Sequence, residues 1–374
     1  MKFFAKCLSV AAAVAVAGGL TVGTTQAQDK YKIFLSMSYI GNDWQAEAAN
    51  MVKAMAASSS MADKVDLQVQ VSGPNAQRQI QQINAMVQQG ADAIVIFPIS
   101  PTALNQVVKN ACDKGVLVFA YDAEITEECA YNVHIDQEEA GRVTAEWLVD
   151  KLGGKGNIIA ITGVPGTSVD TQRTAAAKEV FAKHPDIKIV GEAVGMWSQA
   201  VARTELSKIM ATQSWDDIDG LWMQVGCYTA NAMQLEAGKT PEELLPCAGE
   251  GANGGRIQML PLGTEVEGAA SPYAPLGAPR ISYASPPYSG ALALKLAVQA
   301  LEGKEVPKLT ILPLPIVTNE TVQLCEQGTW EEMKNGCNAF LPSLVPNPGW
   351  FASIFSAQTP EVGFNAALVG QPEL

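Results

Sequence analysis

Residues 90–121, GADAIVIFPISPTALNQVVKNACDKGVLVFAY, decide the fold. Ala93–Phe97 is an unbroken apolar run of strand length. Pro101 suits the first position of a helix, where its missing N–H costs nothing, so Ser100–Lys114 reads as a helix. Gly115 ends it, and Val116–Tyr121 is apolar again. A strand that is apolar throughout has no solvent face. Such strands alternating with helices predict a parallel sheet covered on both sides.

The alternation extends both ways. Upstream, Lys32–Met37 is a short apolar run, Asp43–Ala57 has helical period, and Asp66–Val71 alternates as a strand does. Asn75 caps a further helix that stops at Gly90. The rhythm breaks around Cys129–Asp136 and then restarts. Gln137–Lys151, Thr171–Lys183, Ser198–Gln213 and Thr229–Ala237 read as helices, with strands at Asn157–Ile161, Ile187–Val194 and Gly220–Gln224 between them. Two runs of similar length predict an α/β chain of two doubly wound lobes. Arg256–Arg280 is rich in Gly and Pro and poorly periodic, Ile281–Ala284 is a strand, and Tyr288–Glu302 is an amphipathic helix. Beyond Pro313 the chain reads as irregular, apart from a short helix at Thr329–Lys334.

Composition agrees. The chain has 374 residues, of which 48% are hydrophobic and 17% charged, enough for about two folded domains. Its formal charge of −13 repels phosphate backbones and anionic lipid, which argues against nucleic-acid and membrane-surface partners. Two histidines leave little material for a His-rich metal site.

Lys2 and Lys6 precede an apolar, small-residue run from Leu8 to Val22, and Thr25-Gln26-Ala27 places small residues where a signal peptidase cuts. Residues 1–27 therefore read as a secretory signal peptide, cleaved after Ala27, and the mature chain as soluble. Cys7 lies before the apolar run and is not a lipid-anchor cysteine. The six remaining cysteines, an even number in an exported chain, predict disulfides. They fall in three sequence-local pairs: Cys112–Cys129, Cys227–Cys247 and Cys325–Cys337. The alternative is buried free thiols.

Ligands of such sheets sit outside the carboxyl ends of the strands, so the residues just after each strand carry the function. After the first strand come Asn42 and Trp44, an amide and an apolar face; their plainer roles are a helix cap and a core residue. Asp122 stands after the fourth strand and can accept two hydroxyl hydrogen bonds from a polyol, or serve as a turn aspartate. Gly163–Ser168 is glycine-rich but lacks the GK[ST] ending of a phosphate loop. Arg173, in the next helix, offers a forked donor or is a surface arginine. Trp197 stands after a second-run strand and could pair with Trp44 around a sugar ring, or be core. Gly249–Gly254 matches G-x-G-x-x-G, but Gly255–Pro261 is a poor helix opening, so the match is read as coincidence. Glu250 within it is a further acceptor. Asp216, Asp217 and Asp219 lack calcium-loop spacing and read as turn residues. No G-x-S-x-G or H-E-x-x-H is present.

With these residues in place, the chain resembles the periplasmic sugar-binding proteins of bacterial ABC importers, and among them the ribose/galactose type. The resemblance is carried by Ser38–Trp44, Gly90–Ile96, Val118–Asp122, His134–Asp136, Gly163–Arg173, Gly249–Gly251 and Tyr283–Gly290. It covers about Tyr31 to Leu309. It implies two lobes joined by three crossovers near His134–Asp136, Ala284–Ser285 and Leu312–Pro313, closing by hinge bending over a small carbohydrate or polyol. The lobes would be residues 28–134 with 285–312, and 135–284 with 313–374, the last including the irregular tail. Carried over residue by residue, the ligand contacts are Asn42, Trp44, Asp122, Arg173, Trp197 and Glu250, the last where the ribose-type pattern has Asp. The chain departs from that pattern at Gln45, Ala123, Val225-Gly226 and Ala284, removing contacts that a standard aldopentose or aldohexose would use. The resemblance further implies a periplasmic monomer that needs no cofactor, catalyses nothing and docks on a membrane permease. A receptor presenting ligand to a chemosensor is the neighbouring possibility. A carbohydrate-active enzyme built on Asp122 and Glu250 is the alternative from another class. A sugar-responsive transcription regulator is opposed by the signal sequence, the acidic charge and the lack of N-terminal DNA-binding helices.

Overall fold

A computed structural model describes residues 29–373. The expected signal segment with Lys2, Lys6 and Cys7 lies outside the described residues. The first run gives β1 (Tyr31–Met37), α1 (Asp43–Ala57), β2 (Val65–Val71), α2 (Ala76–Gln88), β3 (Ala93–Phe97), α3 (Asn105–Cys112), β4 (Leu117–Tyr121) and β5 (Tyr131–His134). The second gives α4 (Gln137–Lys151), β6 (Gly156–Thr162), α5 (Ser168–Ala182), β7 (Ile187–Val194), α6 (Gln199–Met210), β8 (Gly220–Met223), α7 (Cys227–Glu236), β9 (Cys247–Glu250), α8 (Asn253–Met259) and β10 (Arg280–Tyr283). The chain continues through α9 (Ser289–Leu301), β11 (Leu309–Ile311), β12 (Ile316–Thr318), β13 (Leu324–Cys325), α10 (Trp330–Lys334), β14 (Ala339–Phe340) and α11 (Phe364–Val369).

Two six-stranded sheets result, ordered β11-β5-β4-β3-β1-β2 and β12-β10-β9-β8-β6-β7. The first is parallel throughout. The second is parallel except for its edge strand β12, antiparallel to β10. Every residue of β3 is buried, as its unbroken apolar run demands. The chain passes between the sheets after β5, after β10 and between β11 and β12, at the three places the resemblance implies.

Several boundaries differ from the sequence reading. The helix expected from Ser100 begins at Asn105; Ser100 Oγ accepts the N–H of Ala103, but residues 101–104 form a turn ahead of the helix. Thr167 caps α5, so that helix starts three residues before Thr171. The break at Cys129–Asp136 contains β5, too short to show a period but paired on both edges. The glycine-rich run after β9 does open a helix. Its glycines answer to packing: a Cβ at Gly254 would collide with the Tyr273 ring, and one at Gly255 with the Arg280 guanidinium.

All three expected disulfides are present, with Cα–Cα separations of 6.4, 5.8 and 5.2 Å for Cys112–Cys129, Cys227–Cys247 and Cys325–Cys337. The tail beyond Pro313 does not keep to one sheet's half. Asn253 and Phe340 exchange two hydrogen bonds, Asn253 Nδ2 to Phe340 O at 2.9 Å and Phe340 N–H to Asn253 Oδ1 at 2.7 Å. Arg256 donates to Asn338 O and Ser353 Oγ. Farther on, α11 packs against α1, and Lys295 of α9 pairs with Glu361 at 2.9 Å. The tail's apolar residues, Trp350, Ile354, Val362 and Ala366 among them, join the same buried cluster as Val52 and Met55 of α1.

Candidate functional site

A cavity lies between the two sheets' carboxyl ends, enclosing about 390 Å³ of non-atom space that includes open solvent at its mouth. All six residues expected to touch a ligand line it: Asn42, Trp44, Asp122, Arg173, Trp197 and Glu250. Each stands at the end of a strand or near the start of a helix, so the winding of both sheets aims them at one point.

The groups are linked into a network. Asp122 stands at φ +59°, a conformation Asp tolerates better than most residues, which turns it inward from the end of β4. Gln137 Nε2 donates to Asp122 Oδ1 at 3.2 Å and to its carbonyl at 3.0 Å. Gln137 Oε1 in turn accepts Arg173 Nε–H at 2.8 Å, and Arg173 donates from its other side to Ser285 Oγ at 2.7 Å. The guanidinium lies 5.0 Å above the Tyr283 ring, a cation–π distance. Trp44 Nε1–H donates to Ser285 O at 2.7 Å. Gln137 and Ser285 sit at two of the connections between the sheets. The carboxylate, the guanidinium and one indole are therefore fastened to the parts of the chain that would bend.

On the far wall, Trp197 and its neighbour Met196 also have positive φ, +48° and +53°. Together with Asp122 they are the non-glycine residues in this region among the described residues, and strain of this kind gathers where function needs it. Trp197 Nε1–H donates to Gln224 Oε1 at 2.7 Å, and its indole passes so close over Gly163 that no Cβ fits there. Four bonds join the two walls: Asn42 Nδ2 to Trp197 O at 3.2 Å, Tyr39 Oη to Met196 O at 2.6 Å, Glu124 N–H to Ser168 Oγ at 2.9 Å and Gln172 Nε2 to Glu124 Oε1 at 2.7 Å. Asn42 also caps α1 through Gln45 N–H at 2.9 Å, so the plainer role and the cavity-lining position coexist in one side chain.

Glu250 is buried, and Gln199 Nε2 donates to its Oε1 at 3.1 Å. Arg280 lies 3.6 Å from the same oxygen. Burial pushes the carboxyl up, against the pull of Arg280. Its second oxygen has no protein partner, and neither does the side-chain oxygen of Gln45, which is 1% exposed. A buried acceptor left unmet costs about 1–3 kcal/mol, and both of these oxygens belong to residues that line the cavity.

Sequence reasoning passed over Gln224, Tyr283, Ser285 and Phe351, all of which line the cavity. Gln224 and Ser285 stand just after strands and were within reach of the same rule. Phe351 belongs to the irregular tail, where no periodic signal points to it.

A family model described as periplasmic binding protein domain matches residues 33–305. The chain is 29% identical over 246 residues to the xylitol-binding protein of Mycolicibacterium smegmatis, covering 64% of this chain and 69% of that one. It is 27% identical over 229 residues to the D-xylose-binding periplasmic protein of Escherichia coli, covering 59% and 67%. The solved structure of an ABC transporter solute binding protein from Thermobispora bispora superposes with a TM-score of 0.70 at 24% identity, covering 88% of this chain and 92% of that one. Two α/β lobes of parallel sheets with a polar cavity between them, and a family match over residues 33–305, lead to one conclusion: this chain belongs to the periplasmic binding protein domain family.

Proposed function

We propose that the protein captures a small, neutral carbohydrate or polyol between its lobes and delivers it to an ABC import permease. The observation that carries this reading is the composition of one cavity: two carboxylates, one guanidinium, amides and indoles converge there, with acceptor oxygens on Glu250 and Gln45 left open. Such a set accepts and donates to hydroxyls while its aromatic faces cover C–H surfaces. Asp122 and Glu250 are matched by Arg173 and by the Arg280 guanidinium beside Glu250, which leaves no excess positive charge for a sugar acid or phosphate. The ligands named for the relatives, xylitol and D-xylose, belong to the same chemical class.

On this reading the bending bodies are residues 28–134 with 285–312, and 135–284 with the strand at β12. Ligand contacts come from Asn42, Trp44, Asp122, Arg173, Trp197 and Glu250. The protein works as an exported monomer, its signal segment removed after Ala27, and it binds without catalysing a reaction. A thermal-shift screen against pentoses, hexoses, deoxysugars and polyols tests it. A ligand at a hundredfold excess over its dissociation constant adds about 2.7 kcal/mol, a readable shift. A hit recovered chemically unchanged is expected. Turnover of a glycoside, lost in Glu250→Gln, would replace this reading with the enzyme, and silence across the panel would remove the carbohydrate class.

A further inference from the structure

Phe351 lies beyond the residues the family model matches, yet it stands at the cleft. The carbonyls of Pro348 and Trp350 accept N–H groups of Gly254 and Asn253 at 2.9 and 2.6 Å, holding the tail to the second half. One residue later, Phe351 N–H donates to Glu47 Oε1 of α1 at 2.7 Å, on the first half. Phe351 also forms an isolated bridge with Ala252. Its backbone is thus fastened on both sides of the cleft, and its ring is placed by neither half alone.

Phe351 lines two spaces. The inner cavity is the site described above. An outer groove, with about 810 Å³ of empty space, is lined by Ile40–Asp43, Trp197–Ala200 and Tyr228. Asn42, Trp197, Val225 and Phe351 line both, so they form the partition. Asn42 and Trp197 are bonded to each other across it, and Phe351 is the large apolar piece that completes it.

We propose that Phe351 is a specificity-determining wall supplied by the tail. It covers a C–H face of the ligand, and it confines the site to single sugar units or short polyols. A ligand carrying a glycosidic substituent would need the space of the ring to reach the outer groove. This inference rests on the carbohydrate reading of the cleft.

The test is calorimetry on the full mature chain and its Phe351→Ala and Phe351→Leu variants. The short probes are D-xylose, xylitol, D-galactose and myo-inositol, and the extended ones are xylobiose and lactose. The wild type should bind at least one short probe and bind the extended ones on the order of tenfold more weakly or worse. Phe351→Ala should lose on the order of tenfold for the short probe and gain for the extended one. Phe351→Leu, which keeps apolar bulk, should lie between and serves as the readout if the alanine variant does not fold. A tail with only a structural role would lower every affinity in proportion. An unchanged short-to-extended ratio, or a wild type that binds an extended probe as tightly as its short counterpart, overturns the wall and leaves the carbohydrate reading intact. A wild type that binds none of the six overturns both.

Discussion

Single residues carry the site's electrostatics. Asp122 holds its place through Gln137 and a left-handed backbone, and its replacement by alanine removes the carboxylate from the cavity while the Gln137 amide keeps the backbone carbonyl as its acceptor. Asp122→Ala should weaken ligand binding by about 1.5–3 kcal/mol in calorimetry. Asp122→Asn, equally tolerant of positive φ, should fold as the wild type does and isolate the loss of charge. Glu47 presents the opposite case. Burial pushes its carboxyl well above the usual carboxylate range, against the Phe351 N–H that favours ionisation, and Asp43 adds to the rise. Such a group binds more protons folded than unfolded, so the stability it confers is complete below the ordinary carboxylate value. That stability is lost as pH rises through the folded-state value. Glu47→Gln keeps an acceptor for Phe351 without the charge. Its melting temperature should therefore overtake the wild type's progressively as pH rises above the ordinary carboxylate range, and a constant gap would exclude this account.

At the level of elements, the disulfides differ in access rather than in span. Cys112 and Cys129 are partly exposed at the end of α3 and the approach to β5, whereas Cys227 and Cys247 are buried beneath α7 and β9. Limited reduction of the folded protein, with alkylation and mass analysis afterwards, should open Cys112–Cys129 first and Cys227–Cys247 only on unfolding. Full reduction should lower the melting temperature, since loops of this length restrict the unfolded chain by about 3 kcal/mol each. Helix starts were legible at some short polar caps, as Asp136 caps α4 and Ser198 caps α6, but not at Thr167, which caps α5. Ser100 makes the same kind of bond, to Ala103 N–H, but only a turn follows it before α3 begins.

For the whole molecule, the consequence is a cleft closed by few bonds. Tyr39 Oη to Met196 O, Asn42 Nδ2 to Trp197 O and the bonds of Glu124 to Ser168 and Gln172 cross it, while the network through Gln137 and Ser285 ties Asp122, Arg173 and Trp44 to the connections between the lobes. Ligand that bridges the two walls should favour closure, so the radius of gyration from solution scattering should fall on binding. Tyr39→Phe, which removes one crossing bond, should enlarge the ligand-free protein and weaken binding without changing which ligands are preferred.

The sequence by itself determined the α/β class, the two windings, the cysteine pairs and six of the cavity's residues. The class and the windings come from local rules, since apolar runs make buried strands and caps start helices; the rule of the residue after a strand offered candidates, and the resemblance selected the six. Only the tertiary structure decided that the tail spans both halves, that Gln137 and Ser285 link Asp122, Arg173 and Trp44, and that Phe351 walls the cavity. The reason is physical. A side chain's role in a strand or helix is set by the period of its neighbours, but a tail without period is positioned by the surfaces it meets. Here those surfaces, α1 and α8, are brought together only when both lobes have folded.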